Sequence, residues 1–149
     1  GSSTVSDNTA HQNIGIGQEA LKVISTASHN VALGQGSLVA LTTGQQNIAI
    51  GQNTLPAITT ASHHIAIGQN AGKSLSGGQY NTYIGHQAGC ADTDGQSNVF
   101  IGCCIAHQFN GGSGNVLLGQ SLGSALGSTS TDPVSSIIIG NVSNFEIIF

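Results

Sequence analysis

The chain has 149 residues, one domain's length, of which only 5% are charged: Lys22, Lys73 and six acids, for a net charge of −4 with histidine neutral. An ordinary domain is about a quarter charged, and so few cations cannot neutralise phosphates, so neither nucleic acid nor an anionic membrane surface is expected as a partner. A 38% hydrophobic content speaks against disorder despite 22 glycines, and no apolar run reaches the roughly 20 residues of a spanning helix, so no membrane insertion is expected.

The chain reads as three parts. Residues 1–10 are a lead-in that opens on Gly1-Ser2-Ser3, which has the look of a cloning scar and suggests a piece of a longer fibre. Residues 11–127 are a repeat region, and 128–149 an irregular insertion followed by a cap. The repeat is set by Gly17, Gly34, Gly51, Gly68, Gly85, Gly102 and Gly119, spaced 17 residues apart with no insertion or deletion. Each closes a phrase such as Asn47-Ile48-Ala49-Ile50-Gly51-Gln52. A register held this strictly predicts stacked coils, because a one-residue slip would take every side chain out of its column. The fold expected is an all-β solenoid or β-roll of seven repeats, each reading strand, Gly corner, second strand and turn.

Counting from the comb glycine as position 0, positions −1 (Ile16 to Leu118) and −3 (Ile14 to Val116) are apolar and separated by one residue. That alternation marks them as the inner face of a short strand. Position −2 would then point away, and its small residues Ala32, Ala49 and Ala66, continued by Tyr83 and Phe100, are read as a surface for close subunit approach. Position +7 (Ile24, Leu41, Ile58, Leu75, Phe109, broken by Asp92) and Leu21, Leu38 and Leu55 at +4 supply further core. The −4 column, six Asn and His64, and the +1 column, mostly Gln, are read as amide ladders from coil to coil.

In the second half the repeat diversifies. All six aromatics lie from Tyr80 onward, with the cysteines, Asp92, Asp94 and the Ser128–Pro133 insertion. Cys90, Cys103 and Cys104 have no disulfide-framework spacing. His86 and Cys103 share position +1, and Cys90 and His107 share +5, but the two pairs lie too far apart along a strand to close a four-ligand site. No metal and no cofactor are expected. Asp92-Thr93-Asp94-Gly95 is read as a polar turn rather than a carboxylate pair or calcium loop, and His29, His63 and His64 as surface histidines. No nucleophile, nucleotide loop or paired-Cys motif suggests catalysis.

The recurring Asn-Ile-Ala-Ile-Gly phrase over about residues 11 to 120 resembles the head repeats of trimeric autotransporter adhesins and the related repeats of tailed-phage fibres and spikes. The longer repeat, with second halves ending in Thr-Gly-like turns, is more similar to the phage version. The resemblance implies a parallel homotrimer and adhesion rather than catalysis. The expected function is the receptor-binding or distal part of a phage tail fibre, on the virion or otherwise extracellular, attaching to a bacterial surface glycan or outer-membrane protein. The alternatives are the head of a bacterial trimeric adhesin, an ice-binding solenoid using Thr42-Thr43 and Thr59-Thr60, or a purely structural shaft. A regular shaft with a varied end predicts contacts at Tyr80, Tyr83, Phe109, Asn110 and Asp132.

Overall fold

The computed structural model describes residues 10–122, 136–141 and 144–147. The chain is an all-β solenoid of about seven coils with no helix among the described residues. Each coil contributes one short strand: β1 Ile14–Ile16, β2 Val31–Leu33, β3 Ile48–Ile50, β4 Ile65–Ile67, β5 Thr82–Ile84, β6 Val99–Ile101 and β7 Val116–Gln120. β8 Ile137–Asn141 and β9 Asn144–Ile147 follow. The nine form one sheet in chain order, parallel through β8 and antiparallel at β9. Every strand residue through β7 faces the residue one repeat on, as Ile48 faces Ile65 and Ala49 faces Ala66. The longer final interval does not shift the register, since Leu117 still faces Ile138 and Gly119 faces Gly140.

The comb glycines have a steric cause. At φ +133°, Gly51 sits where L-residues are strained, and a Cβ built on it would lie 2.7 Å from the carbonyl of Gly68 in the next coil. The same neighbour blocks every comb position, so glycine is what allows adjacent coils to approach to strand distance, about 4.8 Å.

The expected second strand is absent from the coils among the described residues. Left-handed backbone occurs at −5 (Gln46, φ 57°; His63, φ 65°), at +2 (Asn53, φ 52°; Asn70, φ 60°) and at +4 (Leu38, φ 50°; Leu55, φ 48°). These positions bend the chain within each coil and prevent a second extended run. The backbone hydrogen bonds still run from coil to coil there, as in Leu38 N–H to Thr54 O at 3.1 Å and Thr42 N–H to Thr59 O at 2.9 Å.

The expected facing of the strands is reversed. Position −2 lies inside: Ala32, Ala49, Ala66, Tyr83, Phe100 and Leu117 are fully buried within the single chain, beside Leu38, Leu41, Leu55, Ile58, Leu75 and Phe109. Ala32, Ala49, Ala66, Tyr83 and Phe100 therefore cannot be the subunit contact surface. Positions −1 and −3 point outward. The interior is thin opposite the strand because the +4 leucines already fill it. Where −2 grows to Tyr83, position +4 shrinks to Gly72 and Gly89, whose added Cβ atoms would stand 3.0 and 2.8 Å from the tyrosine ring. The two columns share one volume, conserved along the rod as close packing requires.

The asparagine ladder is buried and forms as expected. Asn30 Oδ1 accepts the backbone N–H of Asn47 at 2.9 Å, while Asn30 Nδ2 donates to Gly44 O at 3.0 Å. Asn47, Asn81 and Asn98 continue the pattern at distances of 2.6 to 3.0 Å. Each amide thus satisfies a buried donor in the next coil and a buried acceptor at the bend.

Candidate functional site

Three features distinguish the surface and the C-terminal coils. The first is the outer face of the sheet. Its two columns are Ile, Val and Leu almost throughout, with Thr82 the one polar member and no charge. Ile16 is 65% exposed and Ile14 53%, Ile67 falls to 36%, and the members in the middle coils, such as Ile48 and Ile50, are half-buried. Across eight parallel strands this makes a stripe about 34 Å long at ordinary strand spacing. A soluble chain seldom leaves an apolar surface of that extent uncovered.

The second is the aromatic segment, where the structure separates residues the sequence had grouped. Tyr80 is 57% exposed and stacks on His63, one coil earlier in the same column, with centroids 4.9 Å apart and planes at 29°. Tyr83 and Phe109, expected at a contact surface, are fully buried. Tyr83 stacks on Phe100 at 5.3 Å, and Phe100 meets Phe109 edge-on at 5.3 Å. Neither is available to a partner while the coil is folded. Asn110 binds locally, its Oδ1 accepting from Thr93 Oγ1 at 2.6 Å and Thr93 N–H at 3.1 Å. Asp132 lies outside the described residues.

The break in the +7 column also has its explanation here. Asp92 replaces an apolar residue because Tyr83, unlike the alanines above it, brings a hydroxyl into the core, and Tyr83 Oη donates to Asp92 Oδ2 at 2.6 Å. Asp92 Oδ1 accepts from the N–H groups of Gly95 at 2.9 Å and Gly111 at 3.2 Å. Burial raises the Asp92 pKa above its ordinary value, opposed by the Tyr83 hydroxyl and the two backbone donors. Burial, then the Asp92 charge, raises the Tyr83 phenol well above 10, so it remains a donor. Both carboxylate oxygens are thus occupied, Oδ2 by Tyr83 and Oδ1 by the turn. Tyr83→Phe should cost about 2–3 kcal/mol in urea unfolding, because it strips a hydrogen bond from a buried carboxylate; a loss under about 0.5 kcal/mol would contradict this assignment.

His64 also departs from expectation, being fully buried in the asparagine ladder rather than at the surface. Its Nδ1 accepts the Asn81 N–H at 3.3 Å, and its Nε2 is buried without a hydrogen-bond partner. Burial first, and then neighbouring His63, lower its pKa to about 4, against the pull of the Gly78 carbonyl.

The third feature is a side-chain cluster on the +1 and +2 columns. His86 and Cys103 stack as their shared register predicts, with Cys103 Sγ 3.9 Å from His86 Nδ1. Cys104, which the sequence did not bring to this place, joins them: its Sγ is 3.1 Å from Cys103 Sγ and 4.0 Å from His86 Nδ1. Left-handed backbone at Cys104 (φ 55°) allows its side chain to lie beside that of Cys103. The cysteines are free thiols. The Cys104 thiol is pushed up, chiefly by its hydrogen bond with Cys103, and the Cys90 thiol by burial.

With this geometry in view, the chain was compared with protein-family models, curated proteins and solved structures. None matches.

Of the threonines expected at an ice-binding surface, Thr43, Thr59 and Thr60 are exposed, while Thr42, half-buried, bonds to the next coil. Thr42 Oγ1 donates to Thr59 O at 3.0 Å, and Ser25 Oγ to Thr42 O at 2.9 Å. These hydroxyls tie successive coils together.

Proposed function

We propose that the chain is an attachment module, the receptor-binding or distal part of a phage tail fibre or spike, which assembles as a parallel homotrimer through the outer face of its sheet. The observation that carries this reading is the uncharged Ile/Val/Leu stripe running along all eight parallel strands. Three such faces turned towards one axis would bury the stripe on every subunit. Side-by-side packing also suits the chain's low charge, since identical residues meeting around an axis would otherwise repel. The near absence of basic residues supports a neutral, hydrogen-bonding and aromatic mode of attachment to a cell-surface glycan or outer-membrane protein.

Within that reading the exposed contact residue is Tyr80. Its ring is braced by His63 and more than half exposed, which suits an aromatic that stacks on the apolar face of a sugar. Tyr80→Ala should lower binding to susceptible bacterial cells by about tenfold or more, as loss of a central aromatic contact does, with unchanged assembly. Unchanged cell binding in that variant would remove Tyr80 from the contact surface. Failure of the wild-type chain to bind any cell in a broad bacterial panel would refute the attachment function itself.

A further inference from the structure

We propose that His86, Cys103 and Cys104 form a binding site for a thiophilic d10 metal ion of the Zn2+ class, with one ion per chain. Two thiols and an imidazole are the donor set such ions select, and the three residues offer their ligand atoms within 4.8 Å of one another. Zinc at about 2.3 Å from sulfur and 2.1 Å from nitrogen, in tetrahedral geometry, requires S···S near 3.8 Å and S···N near 3.6 Å. The edges present are 3.1, 3.9 and 4.0 Å. Displacements of some tenths of an ångström, within the reach of side-chain torsions, close the set.

The site is also built on fixed backbone. Cys104 N–H donates to His86 O at 2.8 Å, Ser121 N–H to Cys103 O at 3.0 Å, and His107 Nδ1 to Cys104 O at 2.9 Å. The ligands are therefore held from the coils on both sides and by a side chain of their own coil. Elsewhere the +1 column is a glutamine ladder, as in Gln52 Nε2 to Gln35 Oε1 at 3.2 Å and Gln69 Nε2 to Gln52 Oε1 at 2.9 Å. Glutamine would serve the stacking at the two following coils as it does at these, yet they carry an imidazole and a thiol. On binding, the two thiols release their protons to solvent, His86 coordinates through Nδ1 in its neutral form, and water fills the exposed fourth position. Gln87 Oε1, 3.8 Å from Cys104 Sγ, accepts from that thiol in the metal-free chain.

The test is titration of the full chain, metal-stripped and held reduced by a phosphine, with Cd2+ followed by its thiolate charge-transfer absorption and with Zn2+ in competition with a chromophoric chelator. The expected result is saturation at about one ion per chain. His86→Gln and Cys103→Gln each restore the residue that the column carries at Gln69 and Gln120, so the fold is preserved. Each should weaken the apparent affinity by about 100-fold or more, since losing a direct ligand costs at least as much as losing its support. Cys90→Ser should change nothing. The proposal is overturned if no charge-transfer band develops, if Cys103→Gln binds as tightly as the parent, or if Cys103 and Cys104 close a disulfide that persists in reductant and excludes the metal.

Discussion

If the proposed trimer forms, Ile50→Glu is expected to convert it into monomers that remain folded. Ile50 lies on the outer face of β3, mid-way along the stripe, with no role in filling the coil interior. A carboxylate there is solvated in the free chain but desolvated and unpaired in the assembly, where three copies would converge. Burying one unpaired charge costs several kcal/mol, and like charges around an axis add their repulsion. Dissociation should be complete at micromolar concentration, while the β-type circular dichroism persists. Ala49→Glu, one residue away, should instead abolish folding, because Ala49 is fully enclosed within its own coil. The contrast between adjacent residues separates loss of assembly from loss of fold. An Ile50→Glu chain that keeps the parent's mass would remove the stripe from the interface.

The second large effect concerns acid. His64 is held neutral in the folded chain, with a pKa of about 4 against 6.5 ordinarily. Below pH 6.5 the unfolded chain takes up a proton that the folded chain refuses until about pH 4. Stability is therefore fully present above that window and lost as pH falls through it. The lowering of about 2.5 units corresponds to about 3 kcal/mol at pH 4. Asp92 acts in the opposite sense: its folded pKa is raised, so its contribution favours folding at low pH and is lost as pH rises through its own window. Comparing the parent with His64→Asn isolates the histidine, because Asp92 is common to both.

The variant should narrow the stability gap between pH 7 and pH 4 by about 3 kcal/mol in urea unfolding at fixed protein concentration. It should also gain about 1 kcal/mol at pH 7, as an asparagine there can donate to Gly78 O in the manner of its neighbours. An unchanged gap would mean that His64 is protonated in the folded chain.

How far the sequence anticipates this molecule differs by feature. The comb of glycines announces stacked coils because backbone contact between coils tolerates nothing larger, and spacing records that constraint directly. The asparagine ladder is equally legible, since one residue type repeating at a bend has a single simple explanation. Which side of the strand faces inward was not legible from alternation, because both sides are apolar and a three-residue strand carries no polar face to orient it. A subtler signal was present: positions −2 and +4 change size in opposite directions, Ala with Leu and then Tyr with Gly, as residues filling one space must.

The candidate sites divide in the same way. The stacking of His86 on Cys103 follows from register alone. The arrival of Cys104 does not, because it depends on a left-handed corner at a non-glycine residue that no sequence pattern marks. Aromatic composition pointed to the C-terminal half correctly as the place where packing changes. It misassigned Tyr83 and Phe109 to the surface because composition does not distinguish a ring that fills a core from one that meets a partner.

In the proposed trimer the outward stripe is covered by copies of the same chain. Sedimentation equilibrium of the wild-type protein at low micromolar concentration tests this directly. A single species of three times the 14.9 kDa chain mass is the predicted result, and a stable monomer at that concentration would contradict it.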